Sequence, residues 1–180
     1  MRSVPAIAVV SPCIGWKHAC PDADRLAREA VRVALAIGVT TTGLASPARV
    51  ELCIVLADDT EQQRLNSLFR GQDTPTNVLA FPAWEPGMRA APGAPLLLGD
   101  IVLAFETVAR EAAEQSKPFT DHLRHLIVHG VLHLLGYDHQ TVGAASIMEA
   151  LERVILAKLG VPDPYHDQTP HPAISASVCT

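Results

Sequence analysis

The spacing of apolar residues along the chain predicts strands and helices in mixed order. Val4 to Val10 is a short apolar run that Pro5 interrupts and Ser11-Pro12 closes. It reads as a first β-strand, since an export segment would be longer and would end at a small-residue cleavage site. Leu26, Ala30, Val33, Ala34 and Ile37 then recur at helical spacing, between the acidic start Pro21-Asp22-Ala23-Asp24 and Gly38. Acidic side chains suit the positive end of a helix, and glycine suits its exit. Residues 49–57 (Arg-Val-Glu-Leu-Cys-Ile-Val-Leu-Ala) are aliphatic and β-branched and predict a buried strand.

Asp58-Asp59 opens a helix that holds Leu65 and Leu68, and residues 70–76 carry turn chemistry. A strand follows over 77–81, then a hairpin-like loop over 82–95 rich in proline, then a strand over 96–104. Gly99-Asp100 inside that strand points to a bulge or a sharp edge. Phe105 to Glu114 predicts a helix. The next helix has Thr120 as its candidate cap and runs to about Leu135, where Gly136 ends it. A last helix spans Ala144 to Leu159, closed by Gly160 and Pro162. The order lacks regular βαβ alternation, so the class is α+β, with a single domain over 1–165 and a disordered tail over 166–180.

Composition narrows this little. The chain has 180 residues, 48% of them hydrophobic and 18% charged, which fits one globular domain. The formal net charge is −5, from 14 Lys and Arg against 19 Asp and Glu, so a nucleic acid would have to be held by a local basic patch or within a larger complex. Cys13, Cys20, Cys53 and Cys179 lack the paired spacing of a cysteine zinc site, and Cys53 reads as a small buried hydrophobe. No apolar stretch reaches the length of a bilayer span, and nothing demands disulfides; a cytoplasmic protein is the expectation.

The chemistry concentrates in one stretch. Five of the eight histidines lie between residues 122 and 139, and their centre is His129-Gly-Val-Leu-His133-Leu-Leu-Gly-Tyr-Asp-His139. Residues four apart on a helix share a face, so His129 and His133 can reach one metal ion at about 2.0–2.1 Å. Gly136 lets the chain turn so that His139 closes on the same ion. Three imidazoles beside Val131, Leu132, Leu134 and Leu135 are costly unless something satisfies them. Three nitrogen ligands leave a fourth tetrahedral position for water, as in catalytic rather than structural zinc sites. Nickel, cobalt and copper suit the same ligands. Helix-borne zinc peptidases carry a glutamate after the first histidine, and here that position is Gly130, which disfavours peptide hydrolysis. Asp138 reads either as an orienting partner for a ligand or as a turn residue capping its own backbone. His122 and His125 read as a solvated face. Arg70, taken alone, reads as a surface ion-pair residue after a helix.

The histidine motif resembles the signature of the YbeY family, the bacterial rRNA maturation endoribonucleases. Further blocks agree with it: Leu65-Asn66, Phe69-Arg70-Gly71, Asp73-x-Pro75-Thr76-Asn77-Val78-Leu79-Ala80-Phe81-Pro82, Leu98-Gly99-Asp100-Ile101, Met148-x-x-Leu151-Glu152 and Leu159-Gly160. The resemblance implies a small mixed sheet packed against helices, with the metal site on a central helix and the loop after it. It implies one zinc at His129, His133 and His139, and a functional role for Arg70, whose guanidinium would hold a phosphate. The activity implied is cleavage of single-stranded RNA in small-subunit (16S) rRNA 3′-end maturation and ribosome quality control. The implied partners are ribosomal RNA and ribosome or small-subunit proteins, with neither DNA nor membrane. Where family members continue into acidic residues after the last histidine, this chain has Gln140-Thr141-Val142-Gly143-Ala144-Ala145, which changes the rim of the cleft and leaves the ligands intact. A non-catalytic ribosome assembly factor, favoured by the acidic charge, and a zinc peptidase are the alternatives.

Overall fold

The structure, a computed structural model, describes residues 4–39, 49–85, 87–88, 91, 94–166 and 177–178. Its elements in chain order are β1 (Ala6–Val10), α1 (Ile14–Ala19), α2 (Ala23–Gly38), β2 (Val50–Ala57), α3 (Asp59–Arg70), β3 (Val78–Pro82), β4 (Leu96–Ala104), α4 (Phe105–Glu114), α5 (Phe119–Leu134), α6 (Val142–Lys158) and β5 (Ser177–Val178). The strands form one mixed sheet in the order β1-β2-β4-β3-β5. β1, β2 and β4 run parallel, and β3 pairs antiparallel with β4. The α+β expectation holds. Among the described residues, no helix is long and apolar enough to cross a membrane. The segments 40–48, 167–176 and 179–180, with most of the expected tail, lie outside the described residues.

β4 shows how sequence sets the core. Leu96 and Leu98 are buried before the bulge, Ile101 and Leu103 after it, a spacing that strict alternation forbids. The pairing with β2 slips between Glu51 and Leu52, so an extra residue enters β4 and restores the inward phase. Gly99 makes this possible. Its φ is +128°, and a Cβ there would lie 2.0 Å from the Phe81 carbonyl oxygen. The bulge expected from Gly99-Asp100 is therefore a packing device, and only glycine fits it.

Several expectations need correction. Cys53 is half-buried rather than buried, because β2 alternates: Leu52, Ile54 and Leu56 face the core while Cys53 and Val55 face the more open side. α3 holds Leu65 and Leu68 as expected, and the residues it buries are Gln62 and Asn66, with Leu68 exposed. Its buried face is held by hydrogen bonds, Gln62 Nε2 donating to the Val102 carbonyl at 3.2 Å and Asn66 Nδ2 to that of Thr74 at 2.7 Å. Pro118, not Thr120, occupies the cap position of α5. The apolar pattern does not reveal α1, since six residues are too few to show a period. That helix is pinned by Trp16, fully buried between Phe105 and Phe119 at ring-centroid distances of 5.5 and 5.6 Å, with Nε1 donating to the Ala57 carbonyl at 2.8 Å.

Candidate metal centre

α5 is the central helix, packed against α2, α4, α6, β3 and β4. All its apolar residues from Leu123 to Leu134 are buried, as expected of a helix with partners all round. Gly130 brings the helix close to the sheet: a Cβ there would lie 3.0 to 3.2 Å from three carbons of the Ile101 side chain.

The helix ends in a double hydrogen-bonded turn. Gly136 N–H donates to the His133 carbonyl at 2.9 Å and Tyr137 N–H to that of Leu132 at 3.0 Å, with Gly136 at φ +88°. The Tyr137 hydroxyl donates to the Gly38 carbonyl at 3.0 Å, which ties the turn to the end of α2. This turn returns the chain so that His139 meets the two helical histidines.

One nitrogen from each of His129, His133 and His139 lies within 4.8 Å of the other two. Ligands on one tetrahedral zinc would be about 3.3–3.4 Å apart, given bonds of about 2.0–2.1 Å. His129 and His133 are buried, and His139 is half-buried. The hydrogen bonds decide the tautomers. His129 Nδ1 lies 2.6 Å from Glu152 Oε1, and His133 Nδ1 lies 2.9 Å from the Tyr137 carbonyl oxygen. A carboxylate and a carbonyl only accept, so each Nδ1 carries a hydrogen, and in the neutral form of such a ring the lone pair is on Nε2. Those two Nε2 atoms are 3.0 Å apart. Two lone pairs cannot bond to each other, and a shared cation satisfies both. The donor set fits a metal ion.

Burial, followed by the charges His129 and His139 would carry, lowers the His133 pKa from 6.5 to about 3. The imidazole is thus ready to bind a metal at neutral pH. A lowered histidine pKa contributes stability that is complete above the unfolded value and is lost as pH falls towards the folded one. Below about pH 6.5 the unfolded chain takes up a proton that folded His133 refuses, at about 1.4 kcal/mol per pH unit. Urea unfolding of the metal-free protein is expected to show about 2 kcal/mol less stability from this group at pH 5 than at pH 6.5. A flat profile over that range would mean that folded His133 protonates normally.

His122 and His125 are not a solvated face. Both are buried, because α5 has partners on that side as well. His122 Nε2 lies 2.8 Å from Glu111 Oε2, and His125 Nε2 lies 3.4 Å from Glu152 Oε2. Asp138 Oδ1 accepts from the Gln140 backbone N–H at 3.1 Å, which is the turn role. Arg70 comes from a different element, as the last residue of α3 before Gly71. Its Nε and Nη2 are buried without a hydrogen-bond partner among the described residues, whereas Arg25, Arg28, Arg49, Arg64 and Arg153 each reach a carboxylate. In the sequence, Glu152 stands out only as part of a matching block. A carboxylate on the same helical stripe as Met148, Ile155 and Leu156 is the signal that it faces inward.

The family profile described as Endoribonuclease YbeY matches residues 19–160. A protein described as Endoribonuclease YbeY from Paramagnetospirillum magneticum is 51% identical over 163 residues, covering 90% of this chain and 96% of its own. One from Rhodopseudomonas palustris is 48% identical over 162 residues, covering 90% of each. The solution structure of TM1509 from Thermotoga maritima aligns with a TM-score of 0.49 at 23% identity, over 93% of this chain and 99% of that one.

Proposed function

The chain belongs to the Endoribonuclease YbeY family, and on that premise we propose that it is a zinc-dependent, single-strand-specific endoribonuclease. In this reading it acts in the cytoplasm on the 3′ end of small-subunit (16S) ribosomal RNA and in ribosome quality control, with ribosomal RNA and small-subunit proteins as partners. The observation that carries the metal reading is the 3.0 Å approach of the Nε2 atoms of His129 and His133, both turned outward by acceptors behind them.

His129, His133 and His139 would hold one zinc ion, which when bound supplies Lewis acidity at neutral pH. The rest falls to side chains. Arg70, whose Nε and Nη2 have no hydrogen-bond partner among the described residues, would turn its guanidinium out to the phosphate and neutralise charge that grows in the transition state. A chain of net charge −5 gains specificity for the scissile phosphate from one such cation and depends on the ribosomal particle for the remainder of its affinity.

The test uses zinc-loaded protein and a single-stranded RNA with a duplex control. Wild type is expected to cut the single strand. Arg70→Ala is expected to cut about a hundredfold more slowly with zinc content unchanged, and Arg70→Lys should recover part of the loss, since a lysine cannot bind bidentately. Equal rates in wild type and Arg70→Ala would remove Arg70 from the mechanism. Zinc-loaded wild type that leaves RNA intact would favour the assembly-factor reading.

A further inference from the structure

Glu152 is a carboxylate on α6 that is only 1% exposed. A buried carboxylate is costly unless donors surround it, and an apolar residue would pack there at less cost. Three donors do surround it. His129 Nδ1 stands 2.6 Å from Oε1, while His125 Nε2 at 3.4 Å and the Tyr165 hydroxyl both approach Oε2. Tyr165 lies beyond the end of α6, and its segment is tied back to that helix. Arg153 sits 4.9 Å over the Tyr165 ring and pairs with Asp163 at 3.2 Å, and Asp163 Oδ1 accepts from the Tyr165 N–H at 2.9 Å.

We propose that Glu152 is a positioning residue for the metal centre, held in place by Tyr165 and His125 so that it fixes the tautomer and ring rotation of His129. This rests on the reading that the three histidines hold a metal ion. The oxygen aimed at His129 contacts Nδ1, on the far side of the ring from the nitrogen that faces His133. Without that acceptor the hydrogen is free to move to Nε2, which blocks ligation, and the ring is free to turn. A carboxylate behind the imidazole also makes Nε2 a stronger donor. Tyr165 makes the segment after α6 part of the site. It occupies one lone pair of Oε2 and so directs Oε1 at His129.

Zinc affinity is measured by chelator competition on wild type, Glu152→Gln and Tyr165→Phe, alongside the melting temperature of each protein without metal. Glu152→Gln is expected to bind zinc about tenfold to a hundredfold more weakly, and Tyr165→Phe several-fold more weakly, with metal-free melting temperatures close to wild type. Wild-type affinity in both variants overturns the proposal, as does a lowered metal-free melting temperature with unchanged affinity, which is a structural role alone. If Glu152→Gln does not fold, Tyr165→Phe decides by the same criterion. A wild type that binds no zinc overturns the metal reading and this inference with it, whereas zinc binding without RNA cleavage overturns only the proposed activity.

Discussion

Substituting His133 with alanine is expected to abolish stoichiometric zinc binding and RNA cleavage together. His133 lies between its partners: its Nε2 meets that of His129 at 3.0 Å, its ring centroid is 5.1 Å from that of His139, and its Nδ1 is anchored on the Tyr137 carbonyl. Removing it leaves two nitrogens from two elements, too few to displace water from a zinc ion securely. Loss of an outer partner alone costs about 10–100-fold in metal affinity, so loss of a ligand should exceed about a hundredfold. The measurements are zinc per chain after dialysis, RNA cleavage, and the stability gained on adding zinc. Ligand binding at about a thousand times Kd adds about 4 kcal/mol to wild type and should add almost none to the variant. One zinc per chain in His133→Ala would sink the assignment.

The histidine cluster is legible in the sequence because its spacing is local: four residues make about one helical turn, and a glycine marks where the helix stops. The outer partners are not, for a physical reason. Glu152 meets His129 across 23 positions of chain, and the Tyr137 contact is made by a backbone carbonyl, which carries no signal in residue type. His122 and His125 are misread for a related reason. A polar residue is assigned to solvent unless its partner is visible, and their partners, Glu111 and Glu152, sit on other helices. The strands at 49–57 and 96–104 can be read from aliphatic density, whereas α1 cannot, because its one anchor is Trp16 against rings far along the chain. What escapes the sequence is what depends on long-range pairing.

Gly130 permits the sharpest test of the peptidase alternative. Replacing it with glutamate would restore the residue order of helix-borne zinc peptidases, and if order were sufficient, the variant should hydrolyse casein. The packing predicts otherwise. A Cβ at this position points at Ile101, 3.0 to 3.2 Å from its side-chain carbons, so a longer side chain would enter the contact between α5 and β4. Overpacking there costs about 1–3 kcal/mol, and a carboxylate without a partner in apolar surroundings adds several more. Gly130→Glu is therefore expected to lose about 4 kcal/mol or more of unfolding free energy, measured in urea, and to show no peptidase activity. Gly130→Ala separates the two costs: it keeps the crowding and omits the charge, and the better helix propensity of alanine offsets up to about 1 kcal/mol. A stable Gly130→Glu protein that cleaves casein would revive the peptidase reading. An unstable one, beside a nearly normal Gly130→Ala, would show that the contact between α5 and β4 tolerates a Cβ and refuses the long charged side chain.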